Sequence, residues 1–331
     1  MKAHDASVRS GLRTAVAAGL VLLGLLPCCA QCQISPSQAD SIRHEIGSRV
    51  EALTILGGDF GLAGGSYRFS DGSDVEMDVS KFGGSGDVGD PRRLGDSGIA
   101  WQPTLQGSMG YVDADTTLHS GPLRGGTNEF RAFAIQFGAG ARFWFNDRFS
   151  LAPTLMAMYG HTSSEYAPTT AFAQANVIRA IRTGLIDWNE GTWTLRPAVN
   201  IQYILTWDRT RITLSSDPTF FHTESFTSSD AKDFVNGNSG SLANKIDVDV
   251  PLGKYLFGRE LHTGGFISRT ELFGDLEDGL GTQHLYEVHG RLVLDVLNRL
   301  WKAQWIGVGG SYLRGVNSNG WTVGADVAFR F

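Results

Sequence analysis

The sequence predicts an all-β fold: an antiparallel β-barrel of about twelve strands that spans a membrane, with a short N-terminal α-helix in or near its lumen. Three features indicate this fold. Long segments alternate apolar and polar residues with a period of two, as strands with one apolar face do. Aromatic residues stand at both ends of these segments, as in the girdles of membrane barrels. Glycine is abundant, at 42 of 331 residues, and charged residues make up only 19%, against roughly 25% in soluble domains.

The overall composition argues against several classes of protein. The formal net charge of −6 does not favour nucleic acid as a partner. The three cysteines, Cys28, Cys29 and Cys32, all lie near the N-terminus, so neither a disulfide framework nor a zinc site is predicted. The mean hydropathy is slightly negative at −0.11, which does not fit a helical membrane protein. We expect no cofactor and no bound metal.

Residues 1–30 are predicted to be a signal peptide. Arg9 and Arg13 precede the apolar run "AVAAGLVLLGLLP", and the small residues that follow give a cleavage site after Ala30. The run of about 13 residues is short for a helix that must cross roughly 30 Å of hydrocarbon. A membrane anchor is therefore the weaker alternative, and lipidation of a cysteine is a second one. All three predict export.

Residues 31–53 are predicted to form a linker and an amphipathic helix that begins near Pro36. Ser35 can cap the helix, and proline suits its first position. Apolar side chains recur at helical spacing, and they are Ile42, Ile46, Val50 and Leu53. The opposite side carries Arg43, Glu45, Ser48 and Glu51. We expect this helix to plug the lumen through Ile42, Glu45, Ile46, Val50 and Glu51, or else to pack at the periplasmic mouth.

The barrel is predicted to occupy residues 54–331, and its clearest strand is "TWTLRPAVNIQYILTWD" in the middle of the chain. One parity is almost wholly apolar from Trp193 to Trp207, while the other is polar or small. This alternation extends over about 15 residues, against five or six in an ordinary strand. Pro197 departs from the pattern, because proline removes one ladder hydrogen bond.

The same design recurs in a predicted hairpin. "FRAFAIQFGAGARFWF" has an apolar parity, a short Asn146–Asp147 turn follows, and "RFSLAPTLMAMYGH" continues after the turn. Further short turns are predicted at Asn189–Gly191 and near Asn298–Arg299. Long loops rich in Gly, Asp, Ser and Asn are predicted at the other end of the barrel, over residues 69–98, 112–129, 227–244 and 274–283.

The C-terminal segment "GWTVGADVAFRF" also alternates and finishes on an aromatic residue. A strand of this kind would close the barrel against the first strand. Its terminal aromatic resembles the recognition signal of bacterial outer-membrane barrels. We therefore predict an insertion signal at Phe329 and Phe331.

The two ends of the chain carry a resemblance to a known family. A helix leading into "LGGDFGLAGGSYRF" and a final "GADVAFRF" resemble the translocator barrel of autotransporters, in which a helix precedes or threads a twelve-stranded barrel. Only roughly 20 residues separate Ala30 from the first predicted strand, so no passenger domain is expected. From Ser35 to Phe331 the chain most resembles the solitary outer-membrane autotransporter-like β-barrel family.

This resemblance implies a monomeric, porin-like barrel in the outer membrane of a Gram-negative bacterium. The implied partners are outer-membrane lipid or lipopolysaccharide, and the barrel assembly machinery acting on the C-terminal strand; nucleic acid is not among them. The resemblance implies little about activity, because a fold does not fix a function.

Polar residues on the predicted strands supply lumen candidates. In "LYEVHGRLVLDVL", Glu287, His289 and Arg291 share one face. They could form a proton-binding, anion-binding or catalytic site, although a hydrated ladder of alternating charge is favoured. Arg142 and Arg196 lie among small residues, so their side chains could reach across the lumen to acids of the helix such as Glu45 or Glu51.

The predicted function is that of a non-enzymatic outer-membrane barrel, either a narrow or plugged pore or a structural surface protein. One alternative is a lipase-like hydrolase, and its candidate pairs are His161 with Ser163 or Ser164, and His222 with Ser225. Another is an adhesin that binds through its loops. Calcium binding by Asp71, Asp74, Glu76 and Asp78 is less favoured than solvated loop charge, because their spacing matches no fixed ligand pattern.

Overall fold

The computed structural model describes residues 52, 62–69, 75–117, 126–169, 187–228, 236–296, 303–316 and 318–329. The chain divides into two compact units, Met1–Ala39 and Asp40–Phe331, and all the described residues belong to the second. The predicted signal peptide, the predicted plug helix apart from Ala52, and Phe331 lie outside the described residues. The domain boundaries at residues 30 and 53 therefore stay predictions.

The described residues form a β-sheet fold with one six-residue helix, α1. The elements in chain order are β1 (Leu62–Phe69), β2 (Val75–Asp87), β3 (Arg92–Arg93), β4 (Ala100–Thr117), β5 (Gly126–Trp144), β6 (Phe149–Pro168), β7 (Asn189–Trp207), β8 (Thr210–Ser228), β9 (Asn236–Leu256), β10 (Arg259–Gly274), α1 (Asp275–Leu280), β11 (His284–Asp295), β12 (Ala303–Gly315) and β13 (Ser318–Phe329).

Twelve of these strands close into an antiparallel barrel, as the sequence predicts. Strands that are neighbours in the chain pair with each other, and β1 pairs with β13 from Leu62↔Ala325 to Phe69↔Ser318. β2 pairs with β4, so the two-residue β3 belongs to their connection. Closure satisfies the backbone groups of every strand within the sheet, which hydrocarbon requires.

The pleat separates a lipid-facing surface from a lumen surface. In β5 the even-numbered Ala132, Ala134 and Gln136 are buried, whereas Phe137 is 65% exposed on the outside. β7 shows the same separation, with its apolar parity from Trp193 to Trp207 outward. The face assignments predicted for these strands are confirmed. Among the described residues, no helix has the length and apolarity needed to cross a membrane.

At one end of the barrel, here called the turn end, most connections are short, although residues 88–99, which include β3, join β2 to β4 there. Residues 145–148 connect β5 to β6, as predicted for Asn146–Asp147. Phe257 and Gly258 connect β9 to β10, and their φ angles of 51° and 73° suit a two-residue type I′ hairpin. The opposite end, here called the loop end, carries α1 within the predicted loop 274–283.

Several predicted connections are wrong. Asn189–Gly191 is not a turn, because these residues begin β7. Residues 69–98 are not one loop, because they contain β2 and β3. The loops predicted at 112–129 and 227–244 are shorter, since β4 continues to Thr117, β5 begins at Gly126 and β9 begins at Asn236. The turn near Asn298–Arg299 lies outside the described residues.

The misassignment of β2 has a physical cause. Met77 and Val79 are buried on the lumen side, while Glu76 and Asp78 are exposed on the outside. This arrangement inverts the apolar-outside rule of membrane strands. A segment with carboxylates on its outer face looks like a solvated loop when only its composition is considered.

Candidate functional site

The lumen wall of β8 to β11 is charged, and we call this surface the charged wall. Glu287, His289 and Arg291 all face the lumen from β11, while the alternate residues Val288 and Leu292 are exposed outside. The structure therefore places the three predicted lumen residues of this strand on one face of the wall.

Arg291 is held by a carboxylate that the sequence did not single out. Its Nη1 and Nη2 each donate to a different oxygen of Asp247, both at 2.7 Å. The exposed fractions of the two side chains are only 9% and 19%. Asp247 lies on β9, two strands away, and Gly264 of β10 stands between them. A Cβ at Gly264 would lie 3.4 Å from the Arg291 guanidinium, so the glycine leaves room for this pair.

A second group on the charged wall centres on Phe266. The His289 ring stacks on Phe266 at 4.8 Å between centroids, and its Nδ1 lies 2.9 Å from Ser311 Oγ. Lys245 Nζ lies 5.1 Å from the Phe266 centroid. His262 Nδ1 lies 2.8 Å from Asp249 Oδ2. Polar side chains of the wall thus contact one another from strand to strand, and Arg291 and His262 each lie against a carboxylate.

Polar residues near the turn end form what we call the turn-end network, centred on Arg142. Arg142 Nε donates to Asp87 Oδ2 at 3.1 Å. Its Nη1 lies within 3.2 Å of oxygens on three further side chains, Ser150, Asn200 and Gln202. Thr104 donates to Asp87, and Asn200 donates to Asp217. The network thus links β2 to β8 along the wall.

Arg196 lies on the lumen face of β7, nearer the loop end than Arg142. Its Cζ is 5.0 Å from the Phe221 ring centroid, and its Nη1 donates to Gln136 Oε1 at 3.4 Å. The acids predicted to meet Arg142 and Arg196, namely Glu45 and Glu51, lie outside the described residues. The predicted charge pairing between wall and helix therefore stays a prediction.

The loop half of the lumen contains buried apolar side chains, which we call the loop-end cluster. Its wall members are Met77, Val79, Val112, Ala114, Ala132, Ala134, Met158, Phe221 and Leu272, and α1 adds Leu276 and Leu280. Ala52, which is in helical conformation and 1% exposed, belongs to the same cluster. Side chains lining an open aqueous lumen would be exposed to water at a cost of about 25 cal/mol per Å². In the described structure these wall side chains are instead buried, in one cluster with Ala52.

Two of the three predicted hydrolase pairs, His161–Ser164 and His222–Ser225, separate between the two faces of the sheet. His222 contacts Asn238 and Glu224 through its ring nitrogens, at 2.9 and 3.1 Å. Ser225 instead donates to Glu190, which is buried. His161 is exposed on β6. The hydrogen bonds given above lead from His222 and Ser225 to other side chains rather than to each other, unlike a nucleophile and its base.

The other predicted serine partners of His161 occupy different environments. Ser164 is buried and donates to Asn128 Oδ1 at 2.9 Å. Ser163 shares the strand face of His161 and lies beside a cleft of about 370 Å³ at the loop end, which Glu129, Arg131 and Trp188 also line. This cleft is the described surface that the adhesin alternative could use.

Two of the four candidate calcium ligands belong to the described residues. Asp71 and Asp74 lie outside the described residues, while Glu76 and Asp78 are exposed on β2. Within the described ranges, no group of three or more His, Cys, Asp or Glu side chains is arranged to hold a metal ion. At the C-terminus, Phe329 ends β13, and the insertion signal stays a prediction.

The residues that sequence reasoning missed have a recognisable pattern. Lys245, Asp247 and Asp249 share one parity of β9, while Ile246 and Val248 share the other. The same alternation singled out Glu287, His289 and Arg291 on β11. On β9 the predicted loop 227–244 covers the first nine of the 21 residues, which leaves a shorter alternating segment to indicate the strand.

A closed twelve-stranded barrel with an apolar outer surface and a charged lumen defines a membrane β-barrel of the outer-membrane type. The sequence pattern of the solitary outer membrane autotransporter β-barrel domain matches residues 91–324, well over half of the chain. The chain belongs to this family of outer-membrane barrels, which confirms the resemblance seen in the sequence.

Solved structures of autotransporter barrels share the fold. The β domain of the Bordetella autotransporter BrkA has a TM-score of 0.56 and 10% identity, over 81% of this chain and 96% of that one. The transport unit of AIDA-I from Escherichia coli has a TM-score of 0.51 and 10% identity, over 81% and 88%. Likeness at this identity shows the fold alone. No curated protein is similar enough in sequence to count as a match.

Proposed function

We propose that this protein is a non-enzymatic outer-membrane barrel whose lumen is closed by its own N-terminal helix, so that it rests as a narrow or plugged pore. The observation that carries the proposal is the burial of helical Ala52 inside the loop-end cluster. Ala52 is the second-last residue of the helix predicted for residues 36–53. The apolar stripe of that helix, Ile42, Ile46 and Val50, would find apolar partners on this part of the wall.

The remainder of the lumen supports a narrow pore rather than a solid core. The charged wall and the turn-end network carry polar groups that pair along the wall itself, as in the Arg142–Asp87 and Arg291–Asp247 pairs. Such surfaces are hydrated in barrel lumens. An aqueous path would therefore continue from the charged wall to the turn end once the loop half is vacated.

The loop end is proposed to face outward. Outer-membrane barrels carry short turns on the periplasmic side and longer loops outside. An even number of barrel strands places the start of β1 and the end of β13 on one side, and this is the turn end. The C-terminal strand would then end in the periplasm, where the assembly machinery would meet Phe329 and Phe331 after signal-peptide cleavage.

A planar-bilayer recording tests the proposal. A chain that starts at Gln33 avoids the predicted signal peptide and all three cysteines. We expect this chain to give small or no current steps and a variant lacking residues 36–52 to give larger, discrete steps. Deleting residues 229–235, which connect β8 and β9, is the matched control and should leave the conductance unchanged.

Equal conductance with and without residues 36–52 would contradict the plug. A variant with Ile42, Ile46 and Val50 all replaced by serine shows whether the presence of the segment or its apolar side chains close the lumen. It keeps the segment in place but removes the apolar stripe, so it should conduct almost as well as the deletion.

A further inference from the structure

One arc of the outer surface has arginines placed at the edge of the lipid-facing band. Arg269 of β10 stands opposite Tyr286 of β11, and Tyr286 stands opposite Arg314 of β12. Arg314 stands opposite Asn319 of β13, which stands opposite Arg68 of β1. We call these five residues the arginine rung. Because adjacent strands lie about 4.8 Å apart, its arginines recur about every 10 Å along the barrel perimeter.

The depth of the rung coincides with the expected boundary of the hydrocarbon. β11 has 12 residues, and Tyr286 is its third, so nine residues of this strand lie between the rung and the turn end. A membrane strand needs about 9–11 residues to cross. On four of these five strands, the next outward-facing residue towards the turn end is apolar or aromatic and more than half exposed. These residues are Ile267, Val288, Tyr312 and Trp321. The rung therefore lies directly above lipid-facing side chains.

The arginine side chains point outward and are available to a ligand. Those of Arg269 and Arg68 are 52% and 62% exposed. Arg269 contacts Glu271 at 2.6 Å and Arg68 contacts Glu76 at 3.5 Å, which leaves other donors of each guanidinium facing the solvent. Arg314 is exposed and has no ion pair with another described residue.

Tyr286 keeps part of the rung ordered. The Arg269 guanidinium carbon lies 5.6 Å from the Tyr286 ring centroid, and the His284 ring packs edge-on against Tyr286 at 5.6 Å. A cation held over an aromatic ring loses less side-chain freedom when it binds a ligand. Phosphate groups at the level of lipid headgroups are the chemistry that planar, fixed guanidinium groups bind best.

We propose that the arginine rung binds the phosphates of a phosphorylated glycolipid in the outer leaflet. The phosphorylated glycolipid would be the lipid that contacts this arc of the barrel. The proposal rests on the proposed outward orientation of the loop end. Charge complementarity favours this occupant. The whole protein carries a net charge of −6, yet this surface keeps a positive excess, because three arginines lie on the rung and only two of them each contact one carboxylate.

The test measures binding of diphosphoryl lipid A to the full-length protein in mixed detergent micelles, with its fully dephosphorylated form in parallel. The triple variant Arg68→Gln, Arg269→Gln, Arg314→Gln should bind the diphosphoryl form about a hundredfold more weakly, and Arg314→Gln alone about fivefold more weakly. Arg314→Lys should retain part of the binding. Dephosphorylated lipid A and inorganic phosphate alone should bind weakly to every variant.

Arg131→Gln is the matched control. Arg131 is also an exposed arginine on the outer face, but it is the sixth of the 19 residues of β5 and bonds Glu129. It contacts two carboxylates, those of Glu129 and Glu165, which would repel a phosphate, so its replacement should leave lipid A binding unchanged. Heat-modifiable mobility on gels shows whether each variant is folded, and the single variants keep the test decisive if the triple variant is not.

Undiminished binding in the folded variants would overturn the proposal, as would an equal loss in Arg131→Gln or equal binding of inorganic phosphate. Because a detergent micelle has no inner and outer leaflet, the binding result does not depend on which end of the barrel faces the cell exterior. An epitope inserted within residues 229–235 and probed on intact cells tests the outward orientation separately. The bilayer recordings test the plug, so each proposal can fail alone.

Discussion

The lumen-facing side chains are satisfied in different ways in the two halves of the barrel. At the turn end, Arg142 of β5 contacts Asp87, Asn200 and Gln202, which lie two strands away on β2 and β7, so the wall satisfies its own polar groups. At the loop end, Val112, Ala132 and Ala134 point inward and are buried with Ala52. A polar wall is complete without an occupant, whereas an apolar wall is stable in a barrel only when something covers it.

The contrast also explains why β2 and β4 have an inverted pattern near the loop end. β2 turns Met77 and Val79 inward and Asp78 outward. This orientation would be costly if the loop half were filled with water, and it is favourable if a helix fills it. The four predictions that follow change one side of this comparison at a time.

The largest effect is expected from a charge inside the loop-end cluster. Ala134→Asp buries a carboxylate at a position that is 1% exposed, which costs several kcal/mol if the helix stays in place. We therefore expect the helix to be displaced and the bilayer conductance to approach that of the 36–52 deletion. Ala198→Asp, on the lumen face of β7 outside the cluster, is the control. Unaltered conductance in a folded Ala134→Asp protein would argue against an apolar seal.

A smaller effect is expected on the charged wall. Arg291→Met leaves Asp247 without the guanidinium that holds it by two hydrogen bonds. Removing one partner of a largely buried pair typically costs about 3 kcal/mol. Urea unfolding in vesicles should show this loss, and Asp247→Asn in the same chain should recover part of it. A double variant no more stable than the single one would show that the pair is not the source of the loss.

The turn-end network should affect ion selectivity more than conductance. In the barrel lacking residues 36–52, Arg142→Gln removes a fixed positive charge beside Asp87. The reversal potential across a salt gradient should then shift towards cation selectivity, because the Asp87 carboxylate remains. Arg209→Gln, at the mouth of the same end, is the comparison variant. A shift towards anions would contradict this assignment of charge.

The smallest effect is expected at the surface of the turn end. Arg209 lies in the β7–β8 turn, and its hydrogen bond to Glu260 raises the pKa of the guanidinium, which stays charged throughout the usable pH range. Exposed pairs of this kind contribute little to stability. Arg209→Gln should leave the urea midpoint unchanged, and a clear decrease would show that this pair holds two hairpins together.

The sequence predicted the strands whose apolar residues face lipid, because lipid contact demands unbroken alternation. β5, β6 and β7 follow this rule, and their faces are as predicted. It did not predict β2 or the start of β9, because their outward residues at the loop end are polar and resemble a solvated loop. The Arg291–Asp247 pair also could not be predicted from the sequence. Its members stand 44 positions apart in the chain on strands that do not pair, and only the barrel register brings them together.

The most direct measurement of the central claim is thiol accessibility inside the loop-end cluster. Ala134→Cys in the chain starting at Gln33 provides a single cysteine at a buried lumen position. With residues 36–52 present, a membrane-impermeant maleimide should label this cysteine slowly, and without them it should label it rapidly. Ala198→Cys, on the lumen face outside the cluster, should label at similar rates in both forms. Rapid labelling of Ala134→Cys in the intact chain would show an open loop half and contradict the plug.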